Sequence, residues 1–215
     1  MSAVLEFRDV SFAEQPPYEC GLNAVSFSLA PGELLLVRAP EGRPVTPLAD
    51  AASGLLNLAA GEIIFDNKPW SARSAGEAAS SRGLIGRVFE RSDWLSNLDV
   101  DENITLAQRY HMRRDPAEAL EEARALAREV GVGEIPPGRP ARVERITLLK
   151  LQWVRALMGR PKLLLLERPI SDLSSADAAA FVAAVNRRRE RDGVGVLWIT
   201  DSHEMTNDSA LRPTR

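Results

Sequence analysis

The stretch PKLLLLERPISDL, from Pro161 to Leu173, sets four leucines in front of Glu167 and then places Arg168 beside it. Such an apolar run reads as a buried strand, and its end is where an enzyme that hydrolyses a nucleotide would keep its acidic residues. That chemistry asks for a second carboxylate, whereas a guanidinium cannot accept a proton at any ordinary pH. Upstream, GELLLVRAPEGRPVTPLADAASGLL joins an apolar strand, Leu34 to Val37, to a Pro/Gly-rich loop and a helical segment. In a strand, loop, helix unit of this kind the loop is where a phosphate would sit.

The elements that must position these residues follow from periodicity. AVLEFRDVSF and NAVSFSLA alternate apolar and polar residues around a turn-rich EQPPYECG, which predicts an antiparallel flap. GEIIFDNKPW predicts a further strand and turn, SARSAGEAASSRG a short helix or loop, and LIGRVFE a buried strand. DPAEALEEARALAREVGVG carries Leu120, Leu126 and Val130 at helical spacing before a glycine stop, and VERITLLKLQWVRALMG predicts a second amphipathic helix. The strand KLLLLE, the helix SADAAAFVAAVNRRRERDG and the strand VGVLWIT, Val194 to Thr200, complete the pattern. Apolar strands alternating with helices predict an α/β fold with a mostly parallel sheet covered on both faces. The expected organisation is one domain over 1–215, with an α/β core at 1–96 and 158–215 and a helical insert at 97–157.

Composition narrows the function. With 45% hydrophobic and 27% charged residues and a net charge of -3, the chain offers no electrostatic basis for binding nucleic acid. Its single cysteine, Cys20, excludes an internal disulfide and fits a reducing compartment. The first ten residues mix acidic and basic groups with no apolar core of a signal peptide, and no apolar run approaches the roughly 18 residues needed to span a bilayer. A cytoplasmic location is expected, with any membrane connection made through a partner and not by insertion.

The order LEFRDVSF, NAVSFSLAPGELL, SGLLNLAAGEIIFDNKPW, LIGRVFERSDWLSNLDVDENITL and WVRALMGRPKLLLLERPISDL resembles the nucleotide-binding subunit of an ABC transporter, colinear from Leu5 to about His203. Within it, VFERSDWLSNLDVDENITLAQRYH is similar to cassettes of lipid-trafficking, Mla-type transporters. The resemblance implies a P-loop NTPase-like fold. It also implies ATP and magnesium as cofactors, a membrane permease and a second ATP-binding cassette, homo- or heterodimeric, as partners, and a place on the inner face of the cell membrane.

Position by position, the resemblance also implies what is missing. A P-loop has the pattern G-x-x-x-x-G-K-S/T, because glycines let N–H groups converge on phosphates and the lysine reaches the β and γ oxygens. Here APEGRPVT puts Ala39 and Pro44 at the glycine positions and Val45 at the lysine, and keeps Thr46, with Gly42 inside the loop. Arg43 is either a replacement cation or an exposed loop arginine. Glu14 stands where the adenine-stacking aromatic is expected, with Tyr18 the nearest substitute, and Glu90 replaces the Q-loop glutamine. Glu167 matches the metal-binding carboxylate, Arg168 takes the place of the general base, and Asp201 replaces the switch histidine two residues before His203. The signature LSGGQ aligns with Val143, Glu144, Arg145, Ile146 and Thr147, which lack the paired glycines.

These replacements predict a degenerate, non-hydrolysing subunit with no metal site and no bound cofactor. Arg168 is expected either to bridge Glu90, Glu167 and Asp201, since unpaired buried carboxylates are costly, or to be an inconsequential surface change. The apolar cluster Trp94, Leu95 and Leu98 is expected at the surface that receives the permease. Two alternatives are a weakly active ATPase using Thr46, Glu167 and His203, and a soluble regulator.

Overall fold

Alternation decides the first sheet. In a computed structural model that describes residues 2–14, 20–40, 42–91, 93–111, 113–171 and 173–200, β1 (Leu5–Phe12) buries Leu5, Phe7, Val10 and Phe12. Phe7 and Val10 are three apart and would face opposite sides of a regular strand. A shift of register between them, with Asp9 at φ 49°, turns Val10 back to the core. β1 pairs antiparallel with β2 (Leu22–Leu29) and β4 (Ala60–Phe65), and the short β5 (Lys68–Pro69) pairs with β4. The bulge presses on Gly61 of β4, where a Cβ would lie 2.3 Å from the Asp9 carbonyl.

The second sheet is wholly parallel. It contains β3 (Leu34–Arg38), β6 (Ile85–Val88), β7 (Leu163–Glu167) and β8 (Gly195–Thr200) in the order β3-β8-β7-β6. Every residue of β7 and β8 is buried, as strands covered on both faces require. Leu163 and Leu165 join a core half shared with β1, β4 and the short helix α1 (Thr46–Ala52). Leu164 and Leu166 face the other half, with α3 (Val100–His111), α4 (Pro116–Glu129), α5 (Arg145–Leu157) and α6 (Ser175–Asp192). There Trp153 stacks on Phe181 with ring centroids 4.5 Å apart.

Local chemistry sets the helix limits. SARSAGEAASSRG becomes a 3-10 turn and α2 (Ala75–Arg82), whose capping box joins the Ser74 hydroxyl to the Glu77 N–H and the Glu77 carboxylate to the Ser74 N–H. Asp115 caps α4 ahead of Pro116, and Gly193 ends α6 at φ 68°. The buried stripe of α4 is Ala119, Ala123, Leu126 and Ala127, while Leu120 is only half-buried. Alanines, more than the leucines that sequence spacing singles out, let α4 approach α3 and α5 closely.

The parallel strands end at one edge, so the loop after β3, Glu167 on β7 and the Phe89–Glu90 segment after β6 converge there, the usual ligand edge of an open α/β sheet. β6 lies so close to α5 that a Cβ on Gly86 would sit 1.9 Å from the Ala156 carbonyl, whereas one on Gly76 of α2 meets nothing within 4 Å. Gly86→Ala is therefore expected to lower the melting temperature by roughly 5–10 °C through overpacking. Gly76→Ala, measured in the same thermal melt, is expected to be neutral or slightly stabilising.

Candidate functional site

Glu167 ends β7 fully buried, where a lone carboxylate would be costly, and three elements supply its partners. Arg87 of β6 donates from Nε to Glu167 Oε1 at 2.6 Å and from Nη1 to Asp50 Oδ1 of α1 at 2.6 Å. Thr46, the first residue of α1, donates its hydroxyl to Glu167 Oε2 at 2.8 Å, and the Glu90 N–H reaches the same oxygen at 3.4 Å. Burial pushes the Glu167 carboxyl above the usual carboxylate range, opposed by Arg87, Thr46 and the Glu90 N–H. Desolvation weighs against the Arg87 charge, but Glu167 and Asp50 outweigh it and raise its pKa further.

Arg168 turns inward. Its backbone is left-handed at φ 42° and its N–H donates to the Ile199 carbonyl at 2.8 Å. Its guanidinium pairs with Glu90 Oε1 through Nη1 and donates from Nη2 to the Arg43 carbonyl at 2.9 Å. The expectation that Arg168 bridges three carboxylates is met at Glu90 alone among the described residues. Glu167 is held by Arg87, and Asp201 lies outside the described residues, as do Tyr18 and His203.

Three N–H groups of the loop before α1 have partners within the protein. The Ala39 N–H donates to the Thr200 carbonyl at 2.8 Å and the Arg43 N–H to the Pro40 carbonyl at 3.1 Å. Pro44 has no N–H, and its carbonyl accepts from the Cys20 thiol at 3.5 Å. The Val45 N–H donates to Glu90 Oε2 at 3.3 Å while its side chain, 2% exposed, packs into the flap side of the core. Gly42 bends the loop at φ 74° with open space around it.

Arg43, Val45, Thr46, Glu90, Glu167 and Arg168 thus join one hydrogen-bonded network, and Ala39 and Gly42 lie in the same loop. Val143 to Thr147 belong to another element, the start of α5, where Glu144, Arg145 and Ile146 are exposed and Glu144 caps the helix without a side-chain bond. Arg87 and Asp50 were missed by sequence reasoning. The signal was present, since an arginine inside the strand LIGRV and an aspartate among the alanines of α1 both need charged partners if buried.

A groove of about 420 Å³ opens where β6 meets α3 and α5, lined by Arg82, Phe89, Leu95, Leu106, Tyr110 and Arg155. Leu95, Leu106 and Tyr110 are exposed, Tyr110 by 74%. The Arg155 guanidinium lies over the rings of Phe89 and Trp94, 5.4 and 5.2 Å from their centroids. Of the expected cluster Trp94, Leu95 and Leu98, only Leu95 is exposed, and the other exposed large apolar side chains of the groove, Leu106 and Tyr110, come from α3.

The sequence and the fold, taken without these side chains, match known proteins. A family model described as ABC transporter matches residues 22–171. A ribose import ATP-binding protein of Rubrobacter xylanophilus is 28% identical over 100% of this chain and 42% of its own length. A putative hemin import ATP-binding protein of Staphylococcus saprophyticus is 23% identical over 84% of this chain and 81% of its own, and a methionine import ATP-binding protein of Rhizobium johnstonii 27% over 89% and 52%. The chain thus spans less than two thirds of the ribose and methionine relatives. The fold matches a dimeric bacterial ABC transporter cassette with a TM-score of 0.82 at 20% identity, covering 91% of this chain and 87% of that one. It also matches a subunit of a Clostridium perfringens ABC transporter complex with a TM-score of 0.72 at 17% identity, covering 94% and 79%. A family match over well more than half of its residues settles membership: the chain belongs to the ABC transporter family.

Proposed function

We propose that the chain is a non-hydrolysing cassette subunit of a membrane transport complex, one that docks on a permease and leaves ATP turnover to an intact partner cassette. The observation that carries this reading is Arg168, a permanent cation next to Glu167 whose donors are engaged by Glu90 and the Arg43 carbonyl. A group in that state can neither take a proton from water nor swing aside without taking the counter-charge from Glu90. The loop supports it, because Val45 has its side chain in the core and its N–H on Glu90, and Pro44 has no N–H to give. A triphosphate would meet these spent donors together with the carboxylates of Glu90 and Glu167, so the residues present do not fit a metal-bound nucleotide.

In this reading residues 1–215 form one cassette, with 97–157 as its helical insert, held at the inner face of the membrane. No helix among the described residues is long and apolar enough to cross a bilayer, so attachment passes through the groove. Its exposed Leu95, Leu106 and Tyr110 suit the apolar face of a permease helix.

Two measurements test the proposal. Isothermal titration of the purified protein with Mg-ATP is expected to show no binding, and phosphate release to match a blank without protein; micromolar affinity would instead favour a residual ATPase built on Thr46 and Glu167. Leu106→Glu with Tyr110→Glu is expected to abolish co-purification with native membranes while shifting the melting temperature by no more than about 2 °C, as surface changes usually do. Retained membrane association would move the docking surface elsewhere, and a soluble wild type would favour a regulator with no membrane partner.

A further inference from the structure

At the edge where β7 ends, two guanidinium groups, Arg87 and Arg168, stand among three carboxylates, Asp50, Glu90 and Glu167. Both oxygens of Glu167 are in use, one by Arg87 and the other by the Thr46 hydroxyl and the Glu90 N–H. A magnesium ion needs free oxygen lone pairs in near-octahedral array at about 2.0–2.1 Å. Here three donors already occupy the Glu167 carboxylate, and an ion on it would sit against a guanidinium nitrogen 2.6 Å from Oε1 that cannot shed its charge. Arg87 is also fixed from above, with its guanidinium carbon 4.4 Å from the centroid of the Phe89 ring.

We infer that Arg87 is a built-in cation that does at Glu167 and Asp50 what a divalent metal would do, so that this edge keeps its shape without a metal and takes none up. The inference builds on the proposed non-hydrolysing function, but it turns on Arg87 and Asp50, which that reading does not use, and fails separately. Its plainest consequence is that removing the guanidinium leaves two carboxylates and a hydroxyl, a set of hard oxygen donors, facing one another.

Thermal melting of the wild type and of Arg87→Met, each with and without Mn²⁺, and Mn²⁺ binding followed by electron paramagnetic resonance, test it. The wild type is expected to melt at the same temperature with or without Mn²⁺ and to bind none at this edge. Arg87→Met is expected to melt roughly 10 °C lower, as loss of one member of a buried ion pair implies. Mn²⁺ should restore part of that loss in Arg87→Met and none in Arg87→Met/Glu167→Gln, which should itself melt above the single variant. The inference is overturned by a wild type whose Mn²⁺ binding disappears in Glu167→Gln, by Arg87→Met melting like the wild type, or by a loss that neither Mn²⁺ nor Glu167→Gln relieves. If Arg87→Met does not fold, Arg87→Lys and the double variant decide, since both are expected to fold and an unfolded double variant overturns the inference. Phosphate release from Mg-ATP by a wild type that binds no Mn²⁺ at Glu167 would sink the proposed function and leave this inference standing, whereas Mn²⁺ binding at Glu167 without phosphate release would do the reverse.

Discussion

A carboxylate with no access to water ends the central strand, and everything at the ligand edge is arranged around its neutralisation. Isolating an ionised glutamate at the end of a run of buried leucines would cost several kcal/mol. The fold meets that demand with an arginine from the neighbouring strand, a hydroxyl from the first turn of α1 and a backbone N–H from the segment after β6. These three contacts lock β6, β7 and α1 to one another, so the position of the loop before α1 follows from the charge state of Glu167. Side chains and backbone of the chain itself do this organising work.

A second pair completes the arrangement. Arg168 and Glu90 are each partly shielded from solvent, and each also touches the loop, Arg168 at the Arg43 carbonyl and Glu90 at the Val45 N–H. The two residues are matched in charge. A glutamine at 90 would remove the counter-charge that Glu90 gives Arg168, and a carboxylate at 168 would set two like charges against each other. The left-handed backbone at Arg168 is held by its N–H on Ile199, which ties the turn after β7 to β8.

Much of this was legible beforehand because it rests on local pattern. Period-two runs marked the flap, unbroken apolar runs marked β7 and β8, and the order of segments carried the family. What was not legible depends on pairing across the sheet. Arg87 sits in a strand one place away from β7, and nothing in LIGRVFE says which of several carboxylates it will meet. Asp50 stands among the alanines of a short helix, and that it faces inward shows only in the packing of α1. In α4 the helical spacing found Leu126 and Val130, both buried, but also took in Leu120, which is only half-buried, and passed over Ala119, Ala123 and Ala127, which close helix packing selects. The groove was half found: WLSNL contributes Leu95, but Leu106 and Tyr110 come from a helix whose exposed face only the tertiary structure reveals.

The contact from Arg168 to the Arg43 carbonyl has a dynamic consequence. It fastens the loop to the strand end by a bond independent of the one Glu90 makes to the Val45 N–H. Opening the loop therefore requires breaking both backbone contacts, since releasing one leaves the loop held by the other, while the Arg168–Glu90 ion pair stays in place at the strand ends. Residues 43 to 45 should consequently open together, and the Val45 amide should be protected from hydrogen exchange to the extent that both contacts hold.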